Sequence, residues 1–249
     1  PQPLHIISAQ LSELGLTLAS KSVDGKSNEI PAVQELLQQL DISGCLVVAD
    51  ALNCQKETAR VIVSGKGDYL LSVKENHPSL MRDIRDYIQD DSLRVSMFSQ
   101  TTQEKNRDRI ETRTAFVSYN IDWLPQKEQW VHLACIGAIH TQFQTQAGKS
   151  SQWHYYLSSR QLSADELLHH ARMEWAVESM HWLLDVHFDE DYLRVANKTI
   201  QENLNLLRKF SLGLIKQYKS KTGSKRALSK LMFDCLLDCS MILRILFQN

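Results

Sequence analysis

Two apolar runs of strand length, Cys45 to Ala49 and Tyr69 to Val73, enclose a segment from about Gln55 to Ser64 that reads as helix. A strand with almost no polar position has no face to turn toward water, so it belongs in a sheet covered on both sides. Strand, helix, strand in that order is the pattern of a parallel α/β sheet. Functional groups in such sheets gather at the carboxyl ends of the strands. The first run ends on Asp50, followed by Ala51-Leu52-Asn53. An ionisable side chain there is placed for a site, and equally for capping the next turn; spacing alone leaves both readings open.

The rest of the chain supplies the neighbours of that unit. Leu4 to Ala9 and Leu16 to Val23 are short runs joined by Ser12-Glu13-Leu14-Gly15, a hairpin pattern. Asn28 is placed to cap a helix over Pro31 to Leu40, with Val33, Leu36, Leu37 and Leu40 at helical spacing. Pro78 to Gln89 reads as helix. Then Glu111 to Tyr119, Trp130 to Gln142 and Trp153 to Ser158 form three β-rich runs, read as an insertion whose tryptophans are expected mainly in core positions. From Ser163 to Val186, Thr199 to Tyr218 and Ser224 to Phe247 the pattern is helical.

With 249 residues and 43% hydrophobic content, the chain can bury a sizeable core. It opens on Pro1 and reads as a fragment or processed chain. The absence of any apolar run near the ~18 residues of a membrane span leads to the expectation of a soluble, cytoplasmic protein. Five scattered cysteines without a CxxC pair read as reduced and structural, and Cys235 with Cys239 does not make a zinc site. The net charge of -1 hides an asymmetry. From Lys198 onward ten Lys or Arg face three acids, whereas the preceding part has 18 basic against 26 acidic residues. Arg208, Lys209, Lys216 and Lys219 are therefore the candidate phosphate contacts, against the alternative of a solvated helix face.

A second carboxylate group lies on the long helix after Ser163. Glu174, Glu178, His181 and Asp185 follow at steps of four, three and four, which places them on one face. Acids gathered beside Trp175 and Trp182 repel one another unless solvent, a basic partner or a divalent cation offsets the charge. Mg²⁺ suits oxygen ligands of this kind; a solvent-facing polar stripe is the alternative.

Several stretches, in order, carry a resemblance. Val47-Val48-Ala49-Asp50-Ala51-Leu52-Asn53-Cys54-Gln55 resembles the strand bearing the second catalytic aspartate of ISAs1-type transposases, an IS4-related group that includes the H-repeat-associated proteins. Tyr69 to His77 is similar to the strand that follows it, and Trp175 to Val186, with Phe188 and Glu190-Asp191, to the helix bearing the final glutamate. Lys26-Ser27-Asn28-Glu29-Ile30 and Arg109-Ile110-Glu111-Thr112-Arg113 match further family stretches.

The resemblance implies a DDE transposase of an insertion sequence. Its fold would be an RNase H-like α/β core with a mixed sheet, a β-rich insertion before the last catalytic helix and a helical C-terminal region. The corresponding divisions are 1–100, 101–160 and 161–249. Asp50 and Glu178 would be catalytic and hold Mg²⁺ or Mn²⁺ for DNA strand cleavage and transfer, with Asp185 as an auxiliary carboxylate. The implied partners are DNA, as transposon ends and target, and a second copy in a homodimer, in a bacterial cytoplasm and on the nucleoid when DNA-bound.

The family's first aspartate precedes the strand matching Leu4 to Ala9, so an N-terminally truncated copy is expected. Asp24 in Val23-Asp24-Gly25-Lys26 lies after the hairpin and is not assigned to that role. Asn106-Arg107-Asp108 also replaces the family's Gly-His-Gly. A catalytically inactive DNA-binding remnant is the alternative.

Overall fold

The computed structural model describes residues 5–13, 15–23, 28–106, 109–146, 148–188 and 197–247, with the backbone alone for 5, 106, 175–179, 181 and 198. These form two compact units, Val33–Ala176 and a second one made of Pro1–Ala32 with Val177–Asn249.

The first unit is built on a six-stranded mixed sheet. Its strands are β3 (Leu46–Ala49), β4 (Asp68–Val73), β5 (Phe98–Asn106), β6 (Arg109–Ser118), β7 (Cys135–Thr145) and β8 (Gly148–Ser158), in the order β3-β4-β8-β7-β6-β5. β3 and β4 are parallel, with Ala49 opposite Leu71; every other pairing is antiparallel. The parallel pair needs a crossover, and α2 (Lys56–Ser64) supplies it.

Strand alternation gives each face its own core. Leu71, Val73, Ile136, Ala138, Tyr155 and Leu157 pack with Ala59 and Ile62 of α2 and with Leu80, Ile84 and Ile88 of α3 (Pro78–Gln89). Those three α3 residues recur every four positions and are at most 3% exposed, so each contributes about 1.5–3 kcal/mol of burial. On the opposite face, Leu70, Ala115, Val117, Ile139 and Tyr156 meet Leu167, Leu168 and Ala171 of α5 (Ala164–Phe188). α5 begins on a capping box: the Glu166 amide donates to Ser163 Oγ at 3.2 Å, and the Ser163 amide to Glu166 Oε2 at 2.8 Å.

In this unit two expectations need correction. The run ending at Asp50 was expected to be buried on both faces, yet all four residues of β3 are half-buried, because β3 ends the sheet with β4 as its one neighbour among the described strands. Phe98–Asn106 was not expected as a strand; it pairs with β6 along its whole length, from Phe98 opposite Val117 to Asn106 opposite Arg109. It is a polar edge strand, which water tolerates. The β-rich runs continue the sheet of β3 and β4 through the β4–β8 pairing.

The second unit holds the hairpin of β1 (His5–Leu11) and β2 (Leu16–Val23), the remainder of α5, and α6 (Lys198–Thr222), α7 (Leu228–Leu237) and α8 (Cys239–Phe247). α6 lies on β2 so closely that a Cβ at Gly213 would meet Leu16 Cδ2 at 3.1 Å and Gly15 O at 3.2 Å. Gly223, at φ 64°, ends α6 in the left-handed region, and its amide donates to Lys219 O. The single helix expected over Ser224 to Phe247 is interrupted. Asp238 is extended, at φ −138° and ψ 106°, and its carboxylate accepts from Ser240 N at 2.8 Å and Ser240 Oγ at 2.7 Å. α1 (Glu29–Gln38) follows the first hairpin close to the expected span.

Candidate active site

Asp50 stands at the carboxyl end of β3, exposed to solvent. Its Oδ1 accepts from Asn53 N at 3.2 Å and Asn53 Nδ2 at 2.9 Å, so the residue caps the following turn as well as facing outward. Its Oδ2 takes no hydrogen bond among the described residues and is open to a ligand. The loop runs over Ala51 and Cys54, both buried, with Cys54 N donating to Ala51 O at 3.2 Å. Burial first, and the Asp50 charge second, push the Cys54 thiol up to about 12. Cys54 is therefore a neutral packing group, not a thiolate ligand or nucleophile.

The neighbouring strand end meets this loop. After β4 the chain turns through Lys74–His77, with His77 N on Lys74 O at 3.1 Å, before Pro78 starts α3. Asn76 Nδ2 donates to Ala51 O at 2.6 Å, and His77 Nε2, facing a carbonyl, donates to Cys54 O at 2.6 Å. The His77 ring stands edge-on to buried Trp130, with centroids 5.4 Å apart and planes at 75°. These contacts were not legible in the sequence, although side chains at the ends of adjacent parallel strands are the place to look for them.

Glu178 and Asp185 belong to the second unit. Glu178 lies within the continuous α5, on the same helical face as Glu174, His181 and Asp185, while its side chain and that of His181 fall outside the described residues. Asp185 is half-buried. Glu174 belongs with Asp50 to the first unit, where its charge adds to burial in raising the Tyr156 hydroxyl. Asp24, Arg107-Asp108 and Glu190-Asp191 lie outside the described residues. Among the described residues there is no group of three or more His, Cys, Asp or Glu that could hold a metal ion.

The four basic candidates on α6 differ in surroundings. Lys209 is 3% exposed and donates to Ser8 Oγ at 2.6 Å, so its ammonium serves the packing of α6 on the hairpin. Lys216 is half-buried, and desolvation holds its ammonium below the usual lysine range. Arg208 and Lys219 are half-buried.

The Arg109-Ile110-Glu111-Thr112-Arg113 stretch has a structural use. Alternation along β6 turns Arg109, Glu111 and Arg113 to one face. There Arg113 pairs with Glu111 at 2.5 Å and Glu104 of β5 at 3.2 Å, while Arg109 reaches Glu111 at 3.0 Å. Arg172 of α5 closes the network on Glu104. Arg172 first, and Arg113 next, hold the Glu104 carboxyl below the usual range. Trp123, stacked on Tyr87 at 4.2 Å, and Trp153, stacked on His140 at 4.3 Å, pack against the same core as Trp130, as expected of them.

A parallel strand pair with a carboxylate at its tip, inside a mixed sheet with helices on both faces, defines the class. Among solved structures the chain is similar to the piggyBac transposase synaptic complex with hairpin DNA, at a TM-score of 0.50 and 10% identity, covering 97% of this chain and 48% of that one. The fold is thus the RNase H-like one of DDE transposases. Residues 4–214 match the family described as "Transposase DDE domain", and the chain belongs to that family. It is 32% identical over 252 residues to "Putative transposase YncI" of Escherichia coli O157:H7, covering 94% of this chain and 62% of that protein. It is 29% identical to "H repeat-associated putative transposase YhhI" of Escherichia coli (strain K12), over 93% of this chain and 63% of that protein. The chain thus spans a little over three fifths of the length of these relatives. No helix among the described residues is long and apolar enough to cross a membrane.

Proposed function

We propose that this chain carries the catalytic part of an insertion-sequence transposase that cleaves and joins DNA strands with Mg²⁺ or Mn²⁺. Asp50 and Glu178 are the two assigned metal-holding carboxylates, and Asp185 is an auxiliary one. The observation that carries this reading is the open Oδ2 of Asp50 at the tip of β3 in a chain of the DDE family. A hard carboxylate oxygen of this kind fits Mg²⁺ or Mn²⁺, and the neutral Cys54 thiol beside it does not compete for a softer ion. A bound divalent ion would supply activation of a water or DNA 3′-hydroxyl and neutralisation of the leaving oxygen.

The chain's own residues have the other tasks. Asp50 orients through its cap from Asn53, while Arg208, Lys216 and Lys219 contact DNA phosphates. Lys209, the fourth basic candidate, braces α6 from within. DNA, as transposon ends and target, is the partner. Bringing two ends together favours a homodimer, in the bacterial cytoplasm and on the nucleoid when DNA-bound.

The test is cleavage of a labelled duplex by a protein of the relatives' full length. Asp50→Ala or Glu178→Ala lowers cleavage by about 10²–10³-fold or more, while salt-sensitive DNA retention stays near wild type. Cleavage retained by either variant removes that residue from the site.

A further inference from the structure

Asp50 heads a short loop whose shape is imposed by the adjacent strand. Asn76 Nδ2 holds the carbonyl of Ala51, one residue beyond Asp50, and His77 Nε2 holds that of Cys54 at the far end, each at 2.6 Å. Between the two holds, Asn53 turns its amide and side chain back onto Asp50 Oδ1, at 3.2 and 2.9 Å. The Cys54 amide closes the turn on Ala51 O at 3.2 Å, and the Gln55 amide follows on Asn53 O at 2.8 Å. His77 is itself kept in orientation by Trp130. The chain of contacts is short: Asn76 and His77 fix the loop backbone, the backbone fixes Asn53, and Asn53 fixes the carboxylate.

An aspartate on a loose exposed turn samples several rotamers, and ordering it at the moment of reaction has an entropic cost. A site whose carboxylate is already directed avoids that cost. We infer that Asn76 and His77 are positioning residues that set the direction of Asp50 Oδ2 through Ala51, Asn53 and Cys54. This rests on the proposed role of Asp50. It assigns a task to a turn that the proposed chemistry does not otherwise use.

Amide hydrogen exchange reads the bracing without any metal or activity. Asn76→Ala removes one hold. His77→Phe keeps a ring against Trp130 and removes the other, while His77→Gln keeps a donor. Exchange at Asn53, Cys54 and Gln55 should rise about tenfold in Asn76→Ala and His77→Phe, with the interiors of β4 and α2 within about twofold of wild type. His77→Gln should stay within about threefold. Cleavage by the relatives' full-length form should slow about tenfold at saturating DNA in the first two variants, with DNA affinity unchanged and the melting temperature lowered by no more than about 2–6 °C.

Unchanged exchange in both variants overturns the inference, and so does faster exchange with unchanged cleavage. Exchange that rises throughout β4 and α2 overturns it in favour of a general structural role. If wild type cuts no DNA, the proposed function falls, and the exchange result alone decides whether Asn76 and His77 brace the loop.

Discussion

Asp50 divides its oxygens between two jobs: Oδ1 caps the turn at Asn53, and Oδ2 is left open. Strand-end position and the cap are both visible in Asp50-Ala51-Leu52-Asn53; the cap is the one observed, at Oδ1, and the role proposed for Oδ2 does not compete with it. Glu111 shows the opposite case. In sequence it is one member of a family-like stretch, whereas in the fold its side chain is 5% exposed and tied to Arg113 and Arg109. Glu111→Leu leaves Arg113, itself 10% exposed, without its nearest counter-charge, and should cost about 3–5 kcal/mol in urea unfolding. A loss below about 1 kcal/mol would mean that solvent already screens the network. Lys209 was grouped with the phosphate contacts on charge alone. Its spacing held the missing signal, because Asn205, Lys209 and Leu212 recur on the buried face of α6.

At the scale of elements, most of the helices and strands were legible because periodicity marks a buried face. α3 falls on the expected Pro78–Gln89, where Pro is tolerated at the first turn. β5 was illegible for the same reason: Phe98-Ser99-Gln100-Thr101-Thr102-Gln103-Glu104-Lys105-Asn106 buries too little to show a pattern, and its pairing with β6 makes it a strand. The break between α7 and α8 carries no Gly or Pro; the Asp238-Cys239-Ser240 cap is its signal.

The capping box of α5 gives an element-scale prediction. Ser163→Ala should cost about 1 kcal/mol at neutral pH in thermal or urea unfolding. The Ser163 amide bond is the main cause that lowers the Glu166 carboxyl, so this contribution is present above the ordinary glutamate value and disappears as pH falls through the depressed one. Glu166→Gln should flatten that acid limb slightly, since solvent screens an exposed carboxylate. An unchanged acid limb would exclude the cap as its source.

At the scale of the whole molecule, the two units divide the proposed machinery. Asp50 and its bracing turn belong to Val33–Ala176, whereas Glu178, Asp185 and the basic α6 residues belong to the unit completed by Val177–Asn249. Pairing Asp50 with Glu178 thus comes from family motifs, which sequence order carries and local periodicity does not. The basic excess after Lys198 lies in the second unit, which also holds Glu178 and Asp185, and it suits the phosphate contacts proposed there. The most direct measurement is nicking of a labelled duplex, with Mg²⁺ or Mn²⁺ and with chelator, by this chain and by a form of the relatives' full length. The account predicts nicking by the full-length form that requires the divalent ion. Nicking that persists in chelator, or none by the full-length form at any divalent concentration, would contradict it.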